Sequence, residues 1–138
     1  MQIHECVSFI VLKDHQVLLE KRAQDKEYDP NLIAIPGGHM EHGETREQAL
    51  FRELKEELDI VPTSYVYLCS LYHPTEELQL IHYYVITQWT GTIVSLEADE
   101  VTWYPIHANP LDIAADKVAL AEYLRLRSLF AEIKNHLN

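Results

Sequence analysis

No lysine or arginine occurs between residues 56 and 116, a stretch that carries ten acids. Over all 138 residues there are 22 Asp plus Glu against 11 Lys plus Arg, a formal net charge of −11. So few bases argue against a binder of nucleic-acid polymers, which neutralises phosphates with clustered Lys and Arg. Attachment to anionic lipid is disfavoured for the same reason. Long apolar runs are also missing. The longest, Tyr65 to Cys69, is far shorter than the roughly 20 residues that span a bilayer as a helix. Met1 to Asp14 lacks a basic start followed by an apolar stretch, so no secretory leader is expected and a cytoplasmic location is. Cysteine is scarce: Cys6 and Cys69 sit in strand-like contexts, with no second Cys or His at ligand spacing. Buried free thiols are expected, and neither a disulfide nor a zinc site.

What is present is ordinary globular composition, 47% hydrophobic and 24% charged, which fits one folded domain over residues 1–138. The charge is unevenly distributed. Residues 1–55 hold ten acids and seven bases, net −3; residues 56–116 are net −10; residues 117–138 hold two acids and four bases, net +2. Two readings follow. The acids form a solvated coat, or some of them converge on metal ions. Net charge does not choose between these; spacing does.

Strands are predicted at Val7–Leu12 and Val17–Lys21, joined by the polar turn Lys13-Asp14-His15-Gln16. Further strands are predicted at Leu32–Ile35, Tyr65–Tyr72, Leu78–Trp89 and Val101–Tyr104. Asp29-Pro30-Asn31 marks a turn, and Pro36-Gly37-Gly38 stops the third strand. Thr45 and Gln48 have the spacing of a capping box, which starts a helix running to about Leu58. Ala119, Tyr123, Leu126, Phe130, Ile133 and Leu137 recur at spacings of four and three, the apolar stripe of a second helix against the domain's own sheet. This order predicts an α/β fold, a mixed β-sheet sandwiched between α-helices.

The chemistry lies in residues 38–60, GHMEHGETREQALFRELKEELDI. With Glu53 at zero on a helical wheel, Glu56 falls at about −60° and Glu57 at about +40°. Three carboxylates therefore share one face, beside a stripe of Leu50, Leu54 and Leu58 that anchors the helix. Taken alone, such a face reads as a solvated acidic surface relieved by Arg46, Arg52 and Lys55. Gly37-Gly38 changes that weighing. Paired glycines let the backbone bend and present its carbonyls and amides to a ligand, and hard oxygen donors at close quarters are what Mg²⁺ or Mn²⁺ takes.

Gly38, Glu44, Arg52, Glu53, Leu54, Glu56, Glu57 and Ile60 resemble the Nudix box, G-x5-E-x7-R-E-U-x-E-E-x-G-U. The six Gly, Arg and Glu matches would coincide by chance on the order of once in 10⁷ starting positions. Asp59 stands where that pattern has the glycine that closes the helix. Asp tolerates the left-handed conformation common there, so modest lost stability and retained chemistry are expected. Weaker agreement comes from Leu19-Glu20-Lys21-Arg22 and Ile35-Pro36-Gly37-Gly38, and from the acidic stretch Glu97 to Trp103.

Resemblance to the Nudix hydrolase family, of the MutT-like kind, implies the Nudix fold. It also implies metal-dependent cleavage of a nucleoside diphosphate linked to another group. Glu53, Glu56 and Glu57, with the Gly37 carbonyl, would bind Mg²⁺ or Mn²⁺, and Arg52 and Glu44 would orient that face. Glu97 and Glu100 are further metal candidates, and Glu53, Glu97 and Glu100 are candidates for the general base. Substrate contacts are expected at Arg22, Gly38 and Asp116. Arg22 reads equally as a phosphate contact or an exposed strand-end arginine, and Asp116 as a base reader or a residue placed to suit the start of the last helix. Tyr28, Tyr72, Tyr84 and Trp103 are either base-stacking or core residues. His39, His42 and His82 read as solvated or structural. The leading substrate is a (d)NTP, including oxidised forms such as 8-oxo-dGTP. The alternatives are ADP-ribose, a dinucleoside polyphosphate or a nucleotide sugar, and last a non-catalytic nucleotide sensor. The partner expected is therefore a small nucleotide, with no nucleic-acid polymer and no membrane, on a monomer or homodimer.

Overall fold

The computed structural model describes residues 2–137, with side chains described through Leu129. Its strands are β1 (Ile3–Lys13), β2 (Gln16–Lys21), β3 (Ile33–Ala34), β4 (Gly37–His39), β5 (Val61–Pro74), β6 (Leu78–Thr90) and β7 (Glu100–Pro105); its helices are α1 (Arg46–Leu58) and α2 (Ala114–Leu137). β1 runs parallel to β6 from Ile3↔Leu78 to Val11↔Ile86, and β5 pairs antiparallel with β6. On its other edge β1 pairs with β4 and then, at Leu12 and Lys13, with β2. β2 in turn pairs with β3 and β7. The sheet is thus mixed.

Alternation along the strands sorts the core into two layers. Phe9, Val11, Leu18, Tyr84 and Ile86 face α1 and meet Leu50, Leu54 and Leu58. Ile10, Val17, Leu19, Ile81, Tyr83 and Val85 form the other layer, with Ala119 and Leu120 of α2. The sheet is therefore covered on both faces, as the sequence predicts. Phe130, Ile133 and Leu137, expected to continue the α2 stripe, fall outside the residues whose side chains are described.

Three local devices place the elements. The β1–β2 turn puts both Asp14 (φ 51°) and His15 (φ 63°) in the left-handed region, as a two-residue hairpin of matching twist requires. The capping box of α1 forms: Gln48 N donates to Thr45 Oγ1 at 3.1 Å, and Thr45 N donates to Gln48 Oε1 at 2.9 Å. Beyond α1, Asp59 closes the helix at φ 58°, ψ 41°, its N–H bonded to the Leu54 and Lys55 carbonyls. Gly37–His39 departs from expectation. It is a strand rather than the end of one, pairing Gly37↔Ser8, Gly38↔Val7 and His39↔Cys6. Cys6 and Cys69 are free, the first buried and the second partly so, and burial pushes the Cys6 thiol up to about 12.

Candidate active site

Pairing of β4 with β1 carries Gly37 and Gly38 alongside α1. The approach is so close that a Cβ on Gly38 would run into the Glu53 carboxyl group. Opposite lies Arg52, whose guanidinium holds four partners. Nε donates to Glu44 Oε2 at 2.6 Å, and Nη2 donates to Glu44 Oε1 and to the His39 carbonyl, both at 2.9 Å. Nη1 donates to Glu53 Oε1 at 2.9 Å and Glu56 Oε2 at 3.1 Å. Glu44 is itself fixed by the Glu41 N–H at 2.7 Å. Its bonds to Arg52 hold the Glu44 carboxyl below its ordinary value, and raise the arginine's.

Arg52 compensates Glu53 only in part, and no basic side chain among the described residues bonds to Glu57. Glu53 and Glu57 are buried on α1, and burial raises both. Glu57 also faces the like charges of Glu20 and Glu97. The loop bearing Glu97 is tied to the end of α1 by Leu96 N donating to the Glu57 carbonyl and Val94 N to that of Leu58, each at 3.1 Å. Glu20, on β2, is 3% exposed and pushed up to about 7, by burial first, with Arg22 opposing. Sequence reasoning missed Glu20, though a signal was there. Leu18 faces the α1 layer, so strand alternation turns Glu20 to the same side, where an acid is costly unless compensated.

A cavity of about 360 Å³ joins these groups to the rest of the sheet. Arg22, Gly37, Gly38, Glu53, Glu57, Glu97 and Asp116, seven of the residues expected at the site, line it. Arg52, Glu44 and Glu56 stand behind or beside this lining, joined to it through the Arg52 bonds. Glu100 does not join them: it begins β7, pairs with Lys21 and is exposed outside the lining. Arg22 spends Nε and Nη2 on the Tyr28 carbonyl, at 3.1 and 3.0 Å, and so pins the loop between β2 and β3. Asp116 accepts from Tyr83 OH at 2.6 Å and Ile35 N at 2.9 Å, and burial raises it to about 6. Tyr84 and Trp103 belong to the α1 core layer, and Tyr72 is exposed. Tyr28 lines the cavity beside His39. His82 is structural, bridging Ser70 Oγ at 2.6 Å and Glu5 Oε1 at 2.9 Å. A larger depression of about 710 Å³ lies by the β1–β2 hairpin, away from the carboxylates.

The NUDIX domain profile matches residues 3–124. The chain belongs to the NUDIX family. It is 30% identical over 133 residues to a CTP pyrophosphohydrolase of Escherichia coli, covering 93% of this chain and 96% of that one. An 8-oxo-dGTP diphosphatase of Haemophilus influenzae is 33% identical over 99 residues, 67% of this chain and 68% of the relative. The solution structure of the E. coli ORF135 protein superposes with a TM-score of 0.79 at 28% identity, covering 94% of both chains. The NUDIX helix here ends on Asp59 in the left-handed conformation that the box glycine would adopt.

Its donor set also suits the divalent cation typical of NUDIX proteins. Every candidate is a hard oxygen, and Glu20, Glu57 and Glu97 crowd together with no basic side chain bonded to Glu57 among the described residues. No three His, Cys, Asp or Glu of the described residues stand in a common ligand arrangement.

Proposed function

We propose that this chain hydrolyses nucleoside triphosphates to the monophosphate and pyrophosphate, using Mg²⁺ or Mn²⁺. The observation that carries this reading is the Arg52 clamp, which ties Glu44 and Glu56 to Glu53, itself packed against Gly38 in the lining of a cavity sized for one nucleotide. The relatives named CTP pyrophosphohydrolase and 8-oxo-dGTP diphosphatase support the same class.

Glu53, Glu56 and Glu57, with the Gly37 carbonyl and Glu97, would hold the metal. When bound, it offsets phosphate charge and lowers the pKa of a coordinated water. The chain's own groups do the rest. Arg52 keeps Glu53 and Glu56 oriented. Gly38 leaves room for the Glu53 carboxylate beside the backbone. Arg22 and Lys26 supply positive charge at the cavity wall for the phosphates. Glu53 and Glu97 line the cavity, which supports them over Glu100 as candidates for the general base.

The test is Glu56→Gln/Glu57→Gln. Pyrophosphate release should fall by at least 10³-fold while the thermal melt stays cooperative. Turnover that survives in a folded double variant sinks the reading. A panel of NTPs, oxidised dNTPs, ADP-ribose, dinucleoside polyphosphates and nucleotide sugars resolves the substrate. Binding without product from any of them identifies a sensor.

A further inference from the structure

Gly38, Val7, His82 and Ser70 form one row across β4, β1, β6 and β5. Ser70 therefore stands three strands, roughly 14 Å, from Gly38. Ser70, His82 and Glu5 are all outside the lining of the carboxylate cavity. Ser70 Oγ lies 2.6 Å from His82 Nδ1, and His82 Nε2 lies 2.9 Å from Glu5 Oε1. The three groups come from three neighbouring strands. A hydroxyl, an imidazole and a carboxylate stand in series, the order in which a serine nucleophile is activated.

The carboxylate only accepts, so in the neutral ring Nε2 carries the proton and Nδ1 turns its lone pair to Ser70. Ser70 then donates to His82, and the 2.6 Å contact between Tyr67 OH and Ser70 Oγ is donated by the phenol. One lone pair of Ser70 Oγ is left over. His82 is 5% exposed while Ser70 is half-buried, so the base is shielded and the hydroxyl is reachable. Beside them stands an aromatic wall. Phe51 meets Tyr65 edge-on at 5.4 Å, Tyr67 meets Tyr84 edge-on at 5.6 Å, and Phe51, Tyr65 and Tyr67 are exposed. β5 is the edge of the sheet, which leaves this wall open to solvent. The Arg46 guanidinium sits 4.5 Å from the Tyr67 ring centroid and brings positive charge to the phenol.

We propose that Ser70, His82 and Glu5 form a second hydrolytic site, which cleaves aryl esters of short carboxylic acids seated on the Phe51, Tyr65 and Tyr67 wall. It stands independently of the triphosphate reading. Ser70 Oγ bonds to the acyl carbon as its proton passes to His82 Nδ1. Negative charge on the carbonyl oxygen forms beside the Tyr67 hydroxyl and Arg46. The tetrahedral intermediate then collapses, the bond from acyl carbon to phenolic oxygen breaks, and His82 returns the proton to the departing oxygen. Water attacks the acyl-Ser70 ester next and gives a proton to His82, which passes it to Ser70 Oγ as the carboxylic acid leaves. The sum is ester plus water to acid plus phenol. Glu5 changes no bond. It is a positioning residue that keeps the ring proton on Nε2. The aromatic wall supplies the apolar contact that an aryl group needs.

The experiment gives the full chain p-nitrophenyl acetate at pH 8 in EDTA, so that no metal-bound water contributes. Ser70→Ala should lower kcat/KM for release of p-nitrophenolate at least tenfold. A fluorophosphonate probe should label the wild type once, at a peptide that mass spectrometry assigns to Ser70, a reading that needs no variant to fold. Glu5→Gln can donate to His82 Nε2 and so moves the ring proton to Nδ1, against Ser70. That variant should melt like the wild type, show the other tautomer of His82 by nitrogen NMR, and label at least tenfold more slowly. A carboxylate that merely braces the strands would leave the labelling rate alone. Equal ester hydrolysis by the wild type and Ser70→Ala overturns the proposal. So does a label on any residue other than Ser70, or a folded Glu5→Gln that switches tautomer and labels at the wild-type rate.

Discussion

Two adjacent glycines do different work here. A Cβ on Gly37 meets the Val7 carbonyl and Ser8, which are backbone or close to it, whereas the nearest atoms to one on Gly38 are those of the Glu53 carboxyl group. Gly37→Ala should therefore displace β4 and lower thermal stability. Gly38→Ala should fold with a nearly unchanged melt and lose activity, because Glu53, 6% exposed and gripped by Arg52, cannot swing aside without leaving its place. A loss of roughly 10²-fold in kcat/KM is expected for that displacement, and wild-type turnover by Gly38→Ala would refute it. At this scale the box carboxylates are legible in the sequence, because spacings of three and one on a helix leave little choice of face. Glu20 is not, since a lone acid before Lys21 and Arg22 looks like a solvated strand end until β7 and α1 close over it. The Glu5–His82 contact is out of reach, since it joins residues 77 apart in the chain.

The elements are more legible than their pairing. Both helices, the capping box and six of the seven strands follow from periodicity and turn chemistry, but β4 does not, because Gly37-Gly38 reads locally as a breaker. The parallel β1–β6 pairing depends on contacts across some 75 residues that no window contains. Besides its apolar contacts, α2 is tied to the sheet through Asp116, which brackets Ile35 before β4 and Tyr83 on β6. Its pKa rises from 3.8 to about 6 on folding, with burial the main cause. Between those values the folded state holds a proton that the unfolded chain has released, so this group's contribution to stability falls as pH rises from about 4 to about 6 and is level above. Asp116→Asn keeps both contacts if the Tyr83 hydroxyl turns to accept, and it has no charge to bury. Urea unfolding from pH 4 to 7 should show the stability of the wild type relative to Asp116→Asn dropping across that window, by on the order of 3 kcal/mol. A difference that is flat or rises with pH would contradict the assignment.

Across the whole molecule, the net charge of −11 resolves into two populations. Most of the acids are solvated and respond only to screening, while Glu20, Glu53, Glu57 and Asp116 are buried, the last three in the cavity lining where they respond to whatever enters it. Added salt separates the two. NaCl weakens long-range repulsion among the first population, an effect that any salt of equal ionic strength reproduces. Mg²⁺ bound to the folded state alone should stabilise further, by about 2.7 kcal/mol at a hundredfold excess over its Kd. Thermal melts in MgCl₂ and NaCl at matched ionic strength should therefore differ, with the higher Tm in magnesium. Glu57→Gln turns the argument around. It removes a buried carboxyl beside Glu20 and Glu97, so the metal-free protein should melt higher than wild type, while the magnesium increment shrinks. An equal increment in both proteins would place the cation away from Glu57. The opposite signs of the two effects set this apart from a general loss of stability, in which both melts would fall together.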